Sequence, residues 1–392
     1  MKKAIIFACT ALSLTIAAPA FARPMTETDL ATMKRLGSPT ASPDGKIIAY
    51  QLQETDLPAN KRRTDIYVAW RGVTSDAGIK VASAAGTNEH SPAFSSDGKF
   101  LYFLSNKSGS DQLYRIGIGS GPTVVDPTSE QLSDFKTDVA GFKLSPDGKK
   151  VAIWGDIARD CSDFGCDKDG DTSKPGPGTG REYDALLVRH WDSWETTGNY
   201  SRTFSFDIAA DGKLTGGKAM DADLIGDAPS KPMGGGEEIA WAADSKSLFY
   251  ALRLADKNEA TSTNLDIYHA DVATGAVHNA TPKNTATDTL PSPSPDGKYL
   301  AYAAMARPGY EADRQVLMLR ELATGTVKPL TEKWDRSVDS IAWAPDSKAL
   351  YVTAQDTLDH PIFKIDLKGK VTRLTDAGTA NDVIPFKDGG LL

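Results

Sequence analysis

The 392-residue chain carries 44 basic and 52 acidic residues, a net charge of −8, with 40% hydrophobic and 8% aromatic residues. That acidic balance argues against nucleic acid as a partner, and the length suffices for a large core. With three cysteines, the chain is not a disulfide-dense scaffold. Residues 1–22 read as a cleaved secretory signal. Lys2 and Lys3 give a positive start, residues 4–18 an apolar stretch, and Ala20-Phe21-Ala22 a small-x-small cleavage site before Arg23. The apolar stretch falls short of the roughly 20 residues needed to span a bilayer, and no later segment is long and apolar enough. The mature chain is therefore expected in the periplasm or outside the cell, with no membrane span. Residues 23–37 then hold a short helix over 26–36, with Thr26 and Asp29 as a capping pair and Leu30, Met33 and Leu36 along one face.

From residue 38 to 392 one motif returns seven times between short apolar runs. The copies are Ser42-Pro43-Asp44-Gly45, Ser95-Ser96-Asp97-Gly98, Ser145-Pro146-Asp147-Gly148, Ala242-Ala243-Asp244-Ser245, Ser294-Pro295-Asp296-Gly297, Ala344-Pro345-Asp346-Ser347 and, weakest, Phe386-Lys387-Asp388-Gly389. Their aspartates step by 53, 50, 97, 52, 50 and 42 residues. Proline presets φ, serine and aspartate bond nearby amides, and glycine takes the last position, so each copy turns a hairpin. Third strands follow at 64–70, 112–118, 202–208, 265–270, 315–319 and 362–367, and short polar fourth strands close the units. A period near 50 is the size of a four-stranded blade, which must stack on neighbours around an axis. The fold is therefore expected to be all-β, a β-propeller of about seven four-stranded blades with the last incomplete at Leu392. Trp241 and Trp343, just before their turns, are expected to pack between blades.

The 97-residue step contains a whole period plus an acidic insertion at 156–181. Within it Cys161 and Cys166 are the two cysteines left after the signal, and a disulfide between them fits an exported chain, with two free thiols as the alternative. Asp167, Asp169 and Asp171 could attract calcium, but the glycine and the twelfth position of the calcium loop do not match, which favours a solvated acidic loop. Just beyond, Arg189, His190, Trp191 and Trp194 form the densest cluster of cations and aromatics, with Glu195 and Glu182 as neighbouring carboxylates. They allow two readings, a substrate-holding segment or packing with arginine stacked on tryptophan. No cofactor is expected.

The helix-first layout, the turn motif and especially Arg189-His190-Trp191-Asp192-Ser193-Trp194 resemble the N-terminal propeller of exported S9 serine peptidases, the prolyl oligopeptidase clan, in its dipeptidyl-peptidase and acylaminoacyl-peptidase branches. The resemblance implies a propeller of seven or eight blades, seven fitting this spacing better. It would cap a C-terminal α/β-hydrolase domain and restrict access to peptide substrates, with Glu195 or Glu182 holding the substrate's amine beside Arg189, His190 and Trp191. The Gly-x-Ser-x-Gly elbow that such hydrolysis needs does not occur in this sequence, so no residue is assigned as catalytic and the chain is expected to be inactive alone. The alternative is a stand-alone TolB-like periplasmic propeller that binds a protein.

Overall fold

The computed structural model describes residues 23–73, 78–82, 86–119, 128–166, 183, 186–190, 193–196 and 198–392. The signal segment and Asp167, Asp169, Asp171, Glu182 and Trp191 lie outside that set. Each of the first six motif copies sits in an antiparallel sheet, four-stranded in five of them and five-stranded in the fourth, whose four repeating strands follow chain order from the inside outward. Blade 1 comprises Arg35–Ala41, Ile47–Asp56, Lys61–Trp70 and Ile79–Ala82. Blade 2 is Glu89–Phe94, Phe100–Ser105, Gln112–Gly117 and Glu130–Gln131, and blade 3 is Gly141–Leu144, Lys150–Ala158, Asn199–Ile208 and Leu214–Ala219. Blade 4 is Ile239–Trp241, Ser247–Leu254, Asp266–Asp271 and Val277–Asn279, with Gly226–Asp227 also paired to its second strand. Blades 5 and 6 repeat the plan with Asp288–Pro293, Tyr299–Ala304, Val316–Glu321 and Val327–Pro329, then Ser340–Trp343, Ala349–Thr353, Ile362–Asp366 and Val371–Arg373.

The turns form as their residues dictate. In the third copy the Ser145 hydroxyl donates to Asp147 Oδ1 at 2.7 Å and accepts the Lys150 amide at 2.9 Å, while Gly148 adopts φ +70°. Second strands read as unbroken apolar runs because a middle strand is covered on both faces. In Val151-Ala152-Ile153-Trp154, Val151 and Ile153 pack toward blade 2, whereas Ala152 and Trp154 pack toward blade 4. Two tryptophans pin neighbouring blades together. Trp241 Nε1 donates to the Lys143 carbonyl of blade 3 at 2.9 Å, and Trp343 Nε1 to the Ser292 carbonyl of blade 5 at 2.8 Å. The turns interlock as well. The amide of Asp147 donates to Ser245 Oγ of the next blade at 3.0 Å, and that of Asp296 to Ser347 Oγ at 3.1 Å.

The seventh copy occupies the place between blades 6 and 1. Ile384 and Leu392 exchange backbone hydrogen bonds, each at 3.0 Å, around the 386–389 turn. Val383 and Leu391 join Tyr351 and Ile362 of blade 6. On the other side Arg71 of blade 1 stacks over Phe386 at 4.2 Å and pairs with Asp388 at 2.8 Å. A side chain at Gly45 would begin 3.0 Å from the Phe386 ring, so the first turn needs its glycine for this approach as well as for φ +70°.

Two boundaries differ from expectation. The helix, α1, covers only Glu27–Thr32, capped by Thr26 and Asp29 as expected. It stops early because Met33 leaves helical backbone at ψ 125° and residues 35–41 are taken up as the inner strand of blade 1. Its anticipated apolar face is not core, since Leu30 is 56% and Leu36 72% exposed. The insertion begins after Ala158 rather than at Asp156, because 156–158 extend the second strand of blade 3, pair with 199–201, and bury Ile157 in the core.

Replacing Trp241 by Phe keeps an aromatic ring and leaves the Lys143 carbonyl unpaired at a buried seam. Denaturant unfolding should show a loss of about 1–3 kcal/mol, against less than about 0.5 kcal/mol for Trp194→Phe at the surface.

Candidate functional site

The first strands of all six blades line one axial cavity of about 1080 Å³. Its wall includes Ser38-Pro39, Ser91-Pro92 and Leu290-Pro291, where the residue before each proline adopts positive φ, +46°, +55° and +55°, and the pairing register of the inner strand shifts. Lys143 also lines it, donating to the Ile239 carbonyl at 2.5 Å, and burial pushes this amine down to about 8.

Because strands alternate in direction, loops joining second to third strands share one face of the ring with the links between blades. On that face, at blades 3 and 4, charged groups from four separate segments converge. Asp156 lies near the end of the second strand of blade 3, Glu195 follows the inserted hairpin, Asp227 and Lys231 lie on the link into blade 4, and Glu259 lies on that blade's loop. Asp227 is 5% exposed and accepts the Ser201 amide at 2.6 Å. Lys231 Nζ lies 2.9 Å from Asp156 and 3.5 Å from Asp227. Burial pushes Asp227 up to about 6 despite Lys231, and pushes Glu259 up to about 7 with help from the Asp227 charge. Burial alone would lower Lys231, but Asp227, Asp156 and Glu195 raise it. Arg253 is the cation acting on Glu259 and Asp256 adds a further carboxylate, so with Lys231 five carboxylates face two cations. Asp156, Ser201 and Lys231 also line the axial cavity, which places the cluster at its rim. Such a rim is suited to holding an ammonium group.

The sequence-selected residues divide. Arg189-His190 and Ser193-Trp194 pair as a two-stranded hairpin, with Arg189 opposite Trp194 and His190 opposite Ser193. Arg189 lies 5.5 Å over the Trp194 ring, which stacks on Tyr183 at 6.2 Å. Glu195 is tied to this hairpin through its backbone, accepting from the Tyr183 hydroxyl at 3.1 Å, while its charge acts on Asp227, Lys231, Glu259 and Tyr200. Cys161 and Cys166 form a disulfide with Cα atoms 5.7 Å apart. The loop it closes seats Phe164 among Phe135, Phe204 and Phe206, and Arg202 donates to the carbonyls of Ala158 and Cys161 while pairing with buried Asp221. The inserted segment thus leaves blade 3 from a rigid base. Asp227, Lys231 and Glu259 were not singled out in the sequence, where each is an isolated charge in an ordinary loop.

Six sheets around a lined axis, with a carboxylate-rich rim on one face, define the class: a β-propeller. The chain is 34% identical over 368 residues to dipeptidyl-peptidase 5 of Porphyromonas gingivalis, an alignment of 91% of this chain with 51% of that protein. The acylaminoacyl peptidase of Pyrococcus horikoshii superposes on 90% of this chain and 49% of its own with TM-score 0.62 and 15% identity. The β-propeller domain of the trilobed protease of Pyrococcus furiosus superposes on 89% of this chain and 88% of its own with TM-score 0.53 and 14% identity. No protein-family profile matches the chain. At those identities the two structures speak to fold, and the sequence relative to kinship. The chain belongs with the propellers of S9 serine peptidases related to dipeptidyl-peptidase 5. It spans about half the length of the Porphyromonas relative.

Asp227 prefers its proton in the folded state, since its folded pKa of about 6 lies above the unfolded carboxylate value. Its contribution to stability is therefore complete at low pH and is lost as pH rises through about 6. Asp227→Asn mimics the protonated form, so the melting temperature of the variant minus that of the wild type should move in the variant's favour between about pH 4 and 7.

Proposed function

We propose that this chain is the non-catalytic, substrate-admitting propeller of an exported S9 serine peptidase, whose Ser-Asp-His triad lies in a C-terminal α/β-hydrolase domain acting on peptides. The observation that carries this reading is the axial cavity whose rim bears Asp156, Glu195, Asp227 and Glu259. An opening bounded by six packed inner strands admits an extended chain and turns away a folded domain. At neutral pH a peptide's α-amino group is largely cationic. A rim with surplus carboxylates gives that end a place to rest, with Lys231 holding Asp156 and Asp227 in position. The kinship with dipeptidyl-peptidase 5 supports a peptide as substrate. The positive start and small-x-small site of residues 1–22 support export.

Two measurements test this. The purified 392-residue chain should release no 4-nitroaniline from a dipeptidyl 4-nitroanilide, and release would overturn the non-catalytic assignment. In the gene product that includes the hydrolase domain, Asp227→Asn combined with Glu195→Gln should raise KM for the free-amine substrate about tenfold or more, the worth of one charged hydrogen bond, with kcat within about twofold. Equal KM values for variant and wild type would overturn the role of the rim.

A further inference from the structure

We propose that His269 and His278 form a two-imidazole chelate for a late first-row divalent ion such as zinc, on the outer half of blade 4 and away from the axial cavity. The two residues are direct cross-strand partners on the third and fourth strands of that blade. Directly opposed side chains on an antiparallel pair leave from Cβ atoms roughly 4.5–5.5 Å apart. Their rings are in contact, with centroids 4.6 Å apart and planes at 64°. On its other side His269 is held by Phe249, the cross-strand partner on the second strand, whose ring centroid is also 4.6 Å away. One imidazole is thus fixed from behind and half-buried, and the other, on the exposed outer strand, is free to turn toward it.

The polar atoms of these rings set the pair apart. His90 Nδ1 lies 3.1 Å from Ser91 Oγ and its Nε2 3.5 Å from Asp111. His360 has both nitrogens engaged, by the Ala380 carbonyl and by Asp339, each at 2.8 Å. Among the described residues no hydrogen bond reaches a ring nitrogen of His269 or His278. Each neutral imidazole offers one lone-pair nitrogen, and a single cation between the two rings can accept both. The carboxylates of Asp271 and Asp244 act on His269 and give the surroundings a negative field that favours a cation.

Two nitrogens bonded to one zinc ion at about 2.0–2.1 Å each stand roughly 3–4 Å apart, a separation that rotation of the exposed His278 side chain supplies. Imidazole ligands suit zinc, copper and nickel over calcium or magnesium. No group of three or more His, Cys, Asp or Glu converges on a point among the described residues, so water completes the coordination and the affinity is that of a two-ligand site.

The test uses tag-free protein stripped with EDTA and titrated with zinc chloride in a buffer that does not bind metal. The expected result is one zinc per chain. His278→Ala, at an exposed outer strand, and His269→Gln should each weaken binding at least tenfold while the metal-free melting temperature of His278→Ala stays within about 2 °C of wild type. Copper(II) loaded in place of zinc should show two coupled nitrogens by electron paramagnetic resonance in wild type and one in His278→Ala. No zinc uptake, or uptake unchanged by both substitutions, overturns the proposal.

Discussion

A four-stranded blade has two apolar faces and can bury neither by itself, so its stability resides in its neighbours. That constraint organises the rest of the molecule. It explains why the second strand of blade 3 carries an unbroken apolar run at its middle, why Val151 and Ile153 serve one interface while Ala152 and Trp154 serve another, and why polar bonds are used to set blade against blade. The tryptophan bonds from Trp241 to Lys143 and from Trp343 to Ser292 are directional where hydrophobic contact is not, and they tie blades 4 and 6 each to the blade before it. The serine-for-glycine copies at Ser245 and Ser347 do the same at the turns. They accept positive φ, 61° and 59°, and gain an interblade hydrogen bond that glycine could not make.

Most of the fold was legible because the repeat is written in turn chemistry, which is local. The seven motif copies, the third strands and the interblade tryptophans could be read one segment at a time. The helix end could not. Residues 33–36 carry a helical apolar spacing, yet pairing of 35–41 with Ile47–Asp56 supplies backbone hydrogen bonds that the last turn of an exposed helix does not match. The extension through Ile157 was hidden for a related reason, since Asp156 looks like a loop residue until its strand partner, forty-five positions later, is known.

The rim was legible only in part. Arg189, Trp194 and Glu195 stood out because they are neighbours in sequence, and the stacked arrangement of the first two follows from that nearness. Asp227, Lys231 and Glu259 gave no such signal, because what makes them a cluster is the adjacency of blades 3 and 4 and the desolvation they share there. Local patterns report turns, and rims are made by topology. The bulges at Ser38, Ser91 and Leu290 lie between these cases, since the proline after each was visible while the shift of strand register there was not.

The meeting of Arg71 with Asp388 joins groups 317 residues apart. Tying off a flexible loop of that length costs on the order of 5 kcal/mol in chain entropy, several times what one partly exposed ion pair and one cation–π contact return. The seam cannot therefore be the place where the toroid begins to organise. It is reached when each intervening blade has already docked on the last and the ends have been carried together, and by the same reasoning it is where the ring parts first under thermal agitation, leaving the six remaining interfaces closed.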